Sequence, residues 1–380
     1  MEEVPYPSFA WHAPTRVIFG VGVLSRLGEL VRETAGAKGG VFLVTGRRSL
    51  RGLGRLDVVL RLLGDRPVVH FDGVAPFPSP ETADAAAREC RRSGAEVVVA
   101  VGGGSALDVG KAAAFLSTRE GSALDYVTGD RPVTGESLPF IAVPTTSGSS
   151  SEVTPSAALW DRQAGRHYTL GGPAMFPATA LVDPQLSMSM DASLAANSGW
   201  DALTSAIEAF WSVQSSPLSD ALALEAIALF RRDLVRSVIQ GDLESRTTCA
   251  LAATVSGLAY SNSRPNACHA VGSPLTLRWN VAHGQAVAVT LPAFLRWNAR
   301  AIAHKSARLW GALGVRDVDE AVALLETMMD RCGIQRRLSS LGPTASEVDA
   351  VVEGTRWDLM ERLPRSMSRQ DLRELLLSLL

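Results

Sequence analysis

EVVVAVGGGSALDVGKAAA, residues 96–114, runs five apolar residues into a triple glycine and then opens a helix-forming segment. A short run that is apolar at every position and ends in glycine suits a parallel strand covered on both faces better than an amphipathic strand. The glycine end leading into a helix is where backbone N–H groups and the helix dipole together meet a phosphate. The pattern recurs in GVFLVTG (40–46), PVVHF (67–71) and PFIAVPTT (139–146), with helical segments such as ETADAAARECRRSG (81–94) in between. This alternation predicts a βαβ series and an α/β, doubly wound, Rossmann-like parallel sheet. PSAALWDRQAGRHYTL (155–170) reads as a hairpin around a polar turn, and LVDP (181–184) closes the half.

Beyond residue 190 the periodicity turns helical, as in SDALALEAIALFRRDLVRSVI and GQAVAVTLPAFLRWNARAIA. Thr344 with Glu347, and Ser368 with Asp371, have the spacing of capping boxes ahead of apolar-periodic runs. At 380 residues the chain exceeds the usual size of one domain. The expected organisation is a dinucleotide-binding α/β domain over 1–184 and an all-α metal and substrate domain over 185–380.

Composition excludes several classes. A formal net charge of −2 removes the electrostatic case for nucleic-acid binding. Four scattered cysteines without a C-x-x-C pair indicate neither a disulfide framework nor a thiolate zinc site. The acidic N-terminal stretch lacks the basic and apolar regions of a signal peptide, and no run approaches the length of a membrane span. A soluble, cytoplasmic protein with no membrane partner is expected.

Two phosphate motifs fail against residues 101–114. A Walker A loop needs glycine where Ser105 stands and a hydroxyl where Ala112 stands. The GVG at 20–22 precedes the strand of 40–46 and so has the wrong context for a Rossmann fingerprint. What remains is Gly102, Gly103 and Gly104 at a strand end, Ser105 as a donor, and Asp108 and Lys111 one and two turns on. PTTSGSSSE (144–152) also follows a strand and offers the hydroxyls of Thr145, Thr146 and Ser149 to phosphate or ribose. Two such loops at strand carboxyl ends predict one ligand between them.

Among six histidines, His269 in NACHAVGSPL and His283 in NVAHGQAVAV sit in the most site-like contexts. Asp201 in SGWDALTSAIEAFW fits a helix N-cap by itself. With the two histidines it makes an Asp-His-His set suited to a divalent ion with an open position. A fourth ligand belongs one helical turn on from Asp201, and that residue is Ser205.

The whole combination resembles the iron-containing (group III) alcohol dehydrogenase family. GGGSALDVGK is similar to its nucleotide motif and PTTSGSSSEVT to its second loop, while LVDPQLSMSM, GWDALTSAIEAF, NACHAVGSPL and AHGQAVAVTLP follow in the family's order. The resemblance implies that Asp201, His269 and His283 bind Fe²⁺ or Zn²⁺ and form the catalytic centre. Ser205 and Ser273 stand where typical members carry histidines, one a ligand and the other lining the active site. In VTGRRS, Gly46, Arg47 and Arg48 replace the usual acidic residue that meets the adenosine ribose. Losing that carboxylate and gaining guanidinium groups favours a 2′-phosphate, hence NADPH, with NADH as the alternative.

Further similarity, in AIEAFWSVQSSPLS and CHAVGSPLT, points to the branch that reduces phosphonoacetaldehyde to 2-hydroxyethylphosphonate. Such a substrate needs cationic partners. Arg264, five residues before His269, is the first candidate and Arg278 and Arg166 the next, with Ser205 and Ser273 lining the same pocket. The implied reaction is hydride transfer from the nicotinamide to a small aldehyde, with the metal polarising the carbonyl. A general short-chain alcohol dehydrogenase, a dehydroquinate-synthase-like lyase acting on a sugar phosphate, and a non-catalytic nucleotide binder are the alternatives. The family also implies a homodimer or larger assembly.

Overall fold

The structure, a computed structural model, describes residues 8–47, 50 and 54–380. The chain forms two compact units: Pro14–Ser189 is one, and residues 8–13 together with Met190–Leu380 are the other.

In the first unit the strands are β1 (Arg16–Phe19), β2 (Val41–Gly46), β3 (Val68–Val74), β4 (Val97–Gly102), β5 (Phe140–Pro144), β6 (Ser156–Asp161), β7 (Arg166–Gly171) and β8 (Thr179–Val182). Six of them pair in parallel in the order β1-β8-β5-β4-β2-β3, while β6 and β7 form the antiparallel hairpin. Successive side chains of a strand face opposite ways, so a strand covered on both sides must be apolar throughout. Val41 and Leu43 of β2 and Val97, Val99 and Val101 of β4 pack with helices α1 (Leu27–Ala35) and α2 (Arg55–Leu63). Phe42, Val44, Val98 and Ala100 pack on the other face with α3 (Pro80–Ser93) and α4 (Gly104–Leu116).

Strand β1 departs from the sequence reading, which took the GVG at 20–22 only as preceding β2. RVIF forms a four-residue edge strand against β8, and the GVG follows it into a 3₁₀ turn. A strand this short, exposed along part of its length, carries little periodic signal.

From β2 the chain adds β3 on one side, then returns to add β4 and β5 on the other. The order therefore reverses between β2 and β4, and ligands of open parallel sheets bind beyond the strand carboxyl ends at such a reversal.

The second unit is helical. Its central helix, α5 (Ala192–Trp211), is buried almost all round and packs with α6 (Pro217–Ile239) and α7 (Leu243–Ser263). Helices α8 (Ala267–Trp279) and α9 (His283–Ala288) follow. Asp191 caps α5 by accepting from the Leu194 N–H at 2.7 Å. The N-cap alternative for Asp201 is thereby corrected: Asp201 lies inside the helix, and another aspartate satisfies its first turn. Both capping boxes, at Thr344 and Ser368, are formed. Among the described residues no helix is long and apolar enough to cross a membrane.

Candidate active site

In the α/β unit, Gly102 ends β4 and Gly103 precedes the first turn of α4 without any side-chain cap, leaving that helix start to its own backbone. The Thr145 N–H donates to the Gly102 carbonyl at 2.9 Å, which holds the second loop beside the first. Gly104 is required by this closeness, because a Cβ there would lie 2.6 Å from Ser149 Oγ and 2.8 Å from Ser149 Cβ. Gly46 ends the adjacent β2. Gly46, Gly102, Gly103, Gly104, Ser105, Thr145, Thr146 and Ser149 thus gather at the carboxyl ends of β2, β4 and β5, on the two sides of the order reversal. Ser105 Oγ accepts from the Phe77 N–H at 3.2 Å, so its hydroxyl proton is what it can offer a ligand.

Asp108 is buried and is tied inward: Oδ1 accepts from Ser151 Oγ at 2.6 Å and Oδ2 from the Ala158 N–H at 3.0 Å. Lys111, also buried, donates to Ser151 Oγ (2.9 Å), Thr154 Oγ1 (3.4 Å) and the Ser156 carbonyl (2.7 Å). These side chains clamp α4 to the start of the hairpin. Burial pushes the Lys111 pKa down to about 8 against the pull of Asp108 and Glu152. Arg47 lies exposed just beyond β2, where its Nε donates to the Gly73 carbonyl at 3.2 Å. Arg48 lies outside the described residues.

In the helical unit, Asp201 and Ser205 lie one turn apart on α5, and the histidines come from α8 and α9. Gly284 explains how α9 comes so near: a Cβ there would lie 1.8 Å from the Asn197 carbonyl oxygen, one turn before Asp201. The Gln285 N–H donates to Asn197 Oδ1 at 3.1 Å and completes the docking. His269 Nε2 is 3.4 Å and His283 Nε2 3.9 Å from Asp201 Oδ1, and the two rings stand edge to face at 5.5 Å. One ligand atom from each of Asp201, His269 and His283 falls within 4.8 Å of the others. Side-chain exposures of 14%, 15% and 24% leave these three reachable from solvent.

Two imidazoles and one carboxylate suit Fe²⁺ or Zn²⁺ and leave coordination positions open, so the donor set fits a catalytic divalent ion. Ser205 Oγ is 3.4 Å from His269 Nε2, at the edge of the same set, where a neutral hydroxyl is a poor ligand. Ser273 is buried and donates to the His269 carbonyl at 3.1 Å, closing a turn of its own helix.

Sequence reasoning missed Glu208. Seven residues after Asp201 and on the same helical face, it is fully buried. Its carboxylate accepts from the Cys268 N–H (2.5 Å), the Asn266 N–H (3.2 Å) and His269 Nδ1 (2.5 Å). The carboxylate thereby caps the start of α8 and holds the His269 ring with Nε2 toward Asp201. The only signal in the sequence was a lone acid in the otherwise apolar run SAIEAFW.

Electrostatics follow from these contacts. Burial opposes the His269 cation, yet Glu208 and Asp201 outweigh it and lift its pKa to about 10. His283 is shifted down, by burial first, with the charge of neighbouring His269 adding to it against Asp201. Asp201 is held below the usual carboxylate range because the bond from His269 and the charges of both histidines overcome its burial. A cation entering this set takes the place of the His269 proton, so binding releases a proton.

The arginines divide. Arg264 is exposed at the end of α7, two residues before the N-cap of α8. Arg278 is not brought to the metal set; it lies exposed in the last turn of α8, 5.1 Å from the Trp279 ring. Arg166 is exposed on β7 of the other unit, opposite Asp161.

Comparison with known proteins gives the arrangement a lineage. Residues 14–184 match the family profile of iron-containing alcohol dehydrogenases, and residues 195–380 match the C-terminal profile of the Fe-containing alcohol dehydrogenase family. The long-chain-alcohol dehydrogenase 1 of Geobacillus thermodenitrificans is 34% identical over 374 residues, covering 93% of this chain and 92% of its own. The phosphonoacetaldehyde reductase of Streptomyces viridochromogenes is 36% identical over 279 residues, 71% of this chain and 69% of that protein. Among solved structures, the sulfoacetaldehyde reductase of Bifidobacterium kashiwanohense in complex with NAD⁺ superposes with a TM-score of 0.91 at 29% identity, covering 98% of this chain and 99% of that one.

Proposed function

The chain belongs to the iron-containing alcohol dehydrogenase family, and on that premise we propose that it reduces phosphonoacetaldehyde to 2-hydroxyethylphosphonate with NADPH. It is an oxidoreductase that uses a nicotinamide dinucleotide and a divalent metal, as its family does. Membership sets aside the sugar-phosphate lyase and the non-catalytic binder. When bound, the nicotinamide supplies the hydride and the ion polarises the carbonyl oxygen. The convergence of Asp201, His269 and His283 in front of Glu208 is the observation that carries this reading.

Each residue then has a task. Asp201, His269 and His283 hold the ion, and Glu208 keeps His269 Nε2 directed at it. Gly102, Gly103, Gly104 and Ser105, with Thr145, Thr146 and Ser149, hold the dinucleotide at the start of α4, where backbone N–H groups face its phosphates. Arg47, with Arg48, pairs with the 2′-phosphate and tips the preference to NADPH. Ser205 and Ser273 make the wall beside the ion smaller than a histidine pair would, which leaves room for a substrate carrying a bulky anion. Two of the relatives named above act, by their names, on aldehydes that carry a phosphonate or a sulfonate, which supports an anionic substrate. All four cysteines are buried and none is in a disulfide, compatible with the reducing cytoplasm. A homodimer belongs to the same proposal.

Steady-state loss of NADPH absorbance tests it. With purified, metal-loaded protein, kcat/KM for phosphonoacetaldehyde should exceed that for propanal by about tenfold or more, the equivalent of one charge-assisted contact. NADPH should serve better than NADH by a similar factor. Equal kcat/KM for the two aldehydes would refute the phosphonate substrate and leave a general short-chain aldehyde reductase.

A further inference from the structure

Helix α6 packs along a later helix, α10 (Val318–Cys332), and a cleft of about 320 Å³ opens between them on the helical unit. Pockets that hold a small organic molecule begin at about this size. The floor is apolar: Met328 is buried, Val235 and Leu324 are half-buried, and Ile239 stands 60% exposed beside them. The rest of the wall is cationic, with Arg231, Arg232 and Arg236 from α6 and Arg331 from α10. No acidic side chain is among the described residues that line it.

The acids nearby are committed elsewhere. Arg232 pairs with Asp233 at 2.8 Å and donates to Thr248 Oγ1 at 3.1 Å. Arg236 holds Asp242 and Glu244, at the start of α7, at 3.0 and 2.8 Å. On α10, Glu326 and Asp330 pair with Arg336 at 3.3 and 2.9 Å. Among the described residues neither Arg231 nor Arg331 is in a salt bridge. Arg231 is nonetheless seated, because Gly314 at φ 67° makes room for it: a Cβ there would lie 2.7 Å from Arg231 Nη1. Two unpaired guanidinium groups over an apolar floor, in a chain of formal net charge −2, complement an anion with an apolar body.

Both walls also bear on the helix that carries Asp201. Leu234 of α6 lies so close to α5 that a Cβ at Gly199, two residues before Asp201, would fall 2.3 Å from Leu234 Cδ1. Cys332, next to Arg331, has the Trp200 indole as a neighbour, and Trp200 directly precedes Asp201. Close-packed side chains transmit displacement, so a change in the spacing of α6 and α10 reaches α5 through these contacts.

We propose that the cleft is an effector site for a small organic anion, an oxyanion (phosphate or carboxylate) on a compact apolar body. Arg231 and Arg331 supply the charge, Val235, Leu324 and Met328 cover the apolar body, and occupancy alters the setting of Asp201. Guanidinium forks match such oxyanions with paired hydrogen bonds. The cleft uses none of the residues assigned above to the ion, the dinucleotide or the substrate, and it does not depend on which aldehyde is reduced.

The test uses full-length, Zn²⁺-loaded protein saturated with NADPH, together with its Arg231→Gln, Arg331→Gln and Thr327→Glu variants, all at exposed positions. The calorimetric affinity for phenyl phosphate should fall about tenfold or more in each glutamine variant, the equivalent of one charge-assisted contact. Thr327→Glu, which sets an anion on the cleft wall, should abolish binding. Inorganic phosphate should bind at least about tenfold more weakly than phenyl phosphate, because it leaves the apolar floor uncovered. Benzoate in place of phenyl phosphate sorts the two headgroups, the tighter of the pair naming the natural one. Saturating phenyl phosphate should shift Zn²⁺ affinity, read by chelator competition, by about fivefold or more in wild type and not in the variants. Equal affinity for phenyl phosphate in wild type and variants overturns the site, as does no binding of either probe up to about 10 mM. Inorganic phosphate held as tightly as phenyl phosphate overturns the apolar-bodied ligand. Binding that depends on the arginines but leaves Zn²⁺ affinity unmoved overturns the coupling to Asp201.

Discussion

Glu208→Gln removes a charge and no volume, so it isolates what the buried carboxylate does. In the native protein Glu208 Oε2 accepts from Asn266 N–H and His269 Nδ1, and Oε1 accepts from Cys268 N–H. An amide offers one accepting oxygen and a donating NH₂. The better orientation keeps the oxygen where it serves two donors and turns the NH₂ against the Cys268 N–H. Two buried donors are then unsatisfied, at about 1–3 kcal/mol each. Loss of the anion at the start of α8 adds up to about 2 kcal/mol. A local destabilisation of about 2–8 kcal/mol is expected around residues 264–275. Because the chain has two units, a single global unfolding energy is a poor readout, and amide hydrogen exchange of peptides from this region reports the local effect. Exchange there should accelerate by about thirtyfold or more. Affinity for Zn²⁺, measured by chelator competition, should fall about 10- to 100-fold as His269 loses its oriented, more basic ring. Exchange altered by less than about threefold together with unchanged metal affinity would show that Glu208 neither caps α8 nor supports the metal ligand.

Two other perturbations follow from the same geometry. Ser205→His should raise Zn²⁺ affinity at least about tenfold, since position 205 lies beside His269 Nε2 and imidazole is a far better ligand than a hydroxyl; no gain in chelator competition would mean that α5 does not present this position to the ion. For Lys111, folding lowers the pKa from 10.5 to about 8. Between those values the unfolded chain holds a proton that the folded one has released, so the Lys111 contribution to stability rises with pH across that window and is at its least favourable below pH 8. Lys111→Met should remove this rise, so that wild type gains stability relative to the variant, by on the order of 3 kcal/mol between pH 8 and 10.5, in urea titrations of the α/β unit's transition; a constant difference would place the Lys111 nitrogen in water.

The sheet was legible because a doubly covered strand has an unmistakable composition. VVVAV and VFLV are apolar at every position, and both sheet faces use them. The glycine triplet was legible for a similar reason: the turn from β4 into α4 leaves no room for a Cβ at Gly104. The partners of Asp108 were not legible, because spacing along α4 shows which residues share a face but not which way that face turns. In the structure that face turns to Ser151 and Ala158. Glu208 was invisible for a different reason. Its three partners are 58 to 61 residues away in sequence, and nothing local to SAIEAFW marks a carboxylate that will be buried. Pro274 inside α8 implies that the Ala270 carbonyl needs a donor from elsewhere, which the backbone N–H of Arg356 supplies at 3.3 Å, but spacing alone does not say which residue that is.

Helix α5 carries the proposed metal set without a histidine at position 205. Asp201, Ser205 and Glu208 fall on one face at positions i, i+4 and i+7, so in the proposed reading a single helix carries a metal ligand, the serine beside it and the acceptor that holds a second ligand, His269. Replacing histidine at 205 removes a donor to the ion but leaves no buried group unsatisfied, because a serine hydroxyl rotates to suit its neighbours. Replacing Glu208 would strip the Asn266 and Cys268 N–H groups and His269 Nδ1 of their acceptor in one step. The two positions therefore differ in what the fold can tolerate. Position 205 tolerates a change of side chain without stranding a buried partner, whereas position 208 is bound to the folding of α8, and through α8 to the setting of His269.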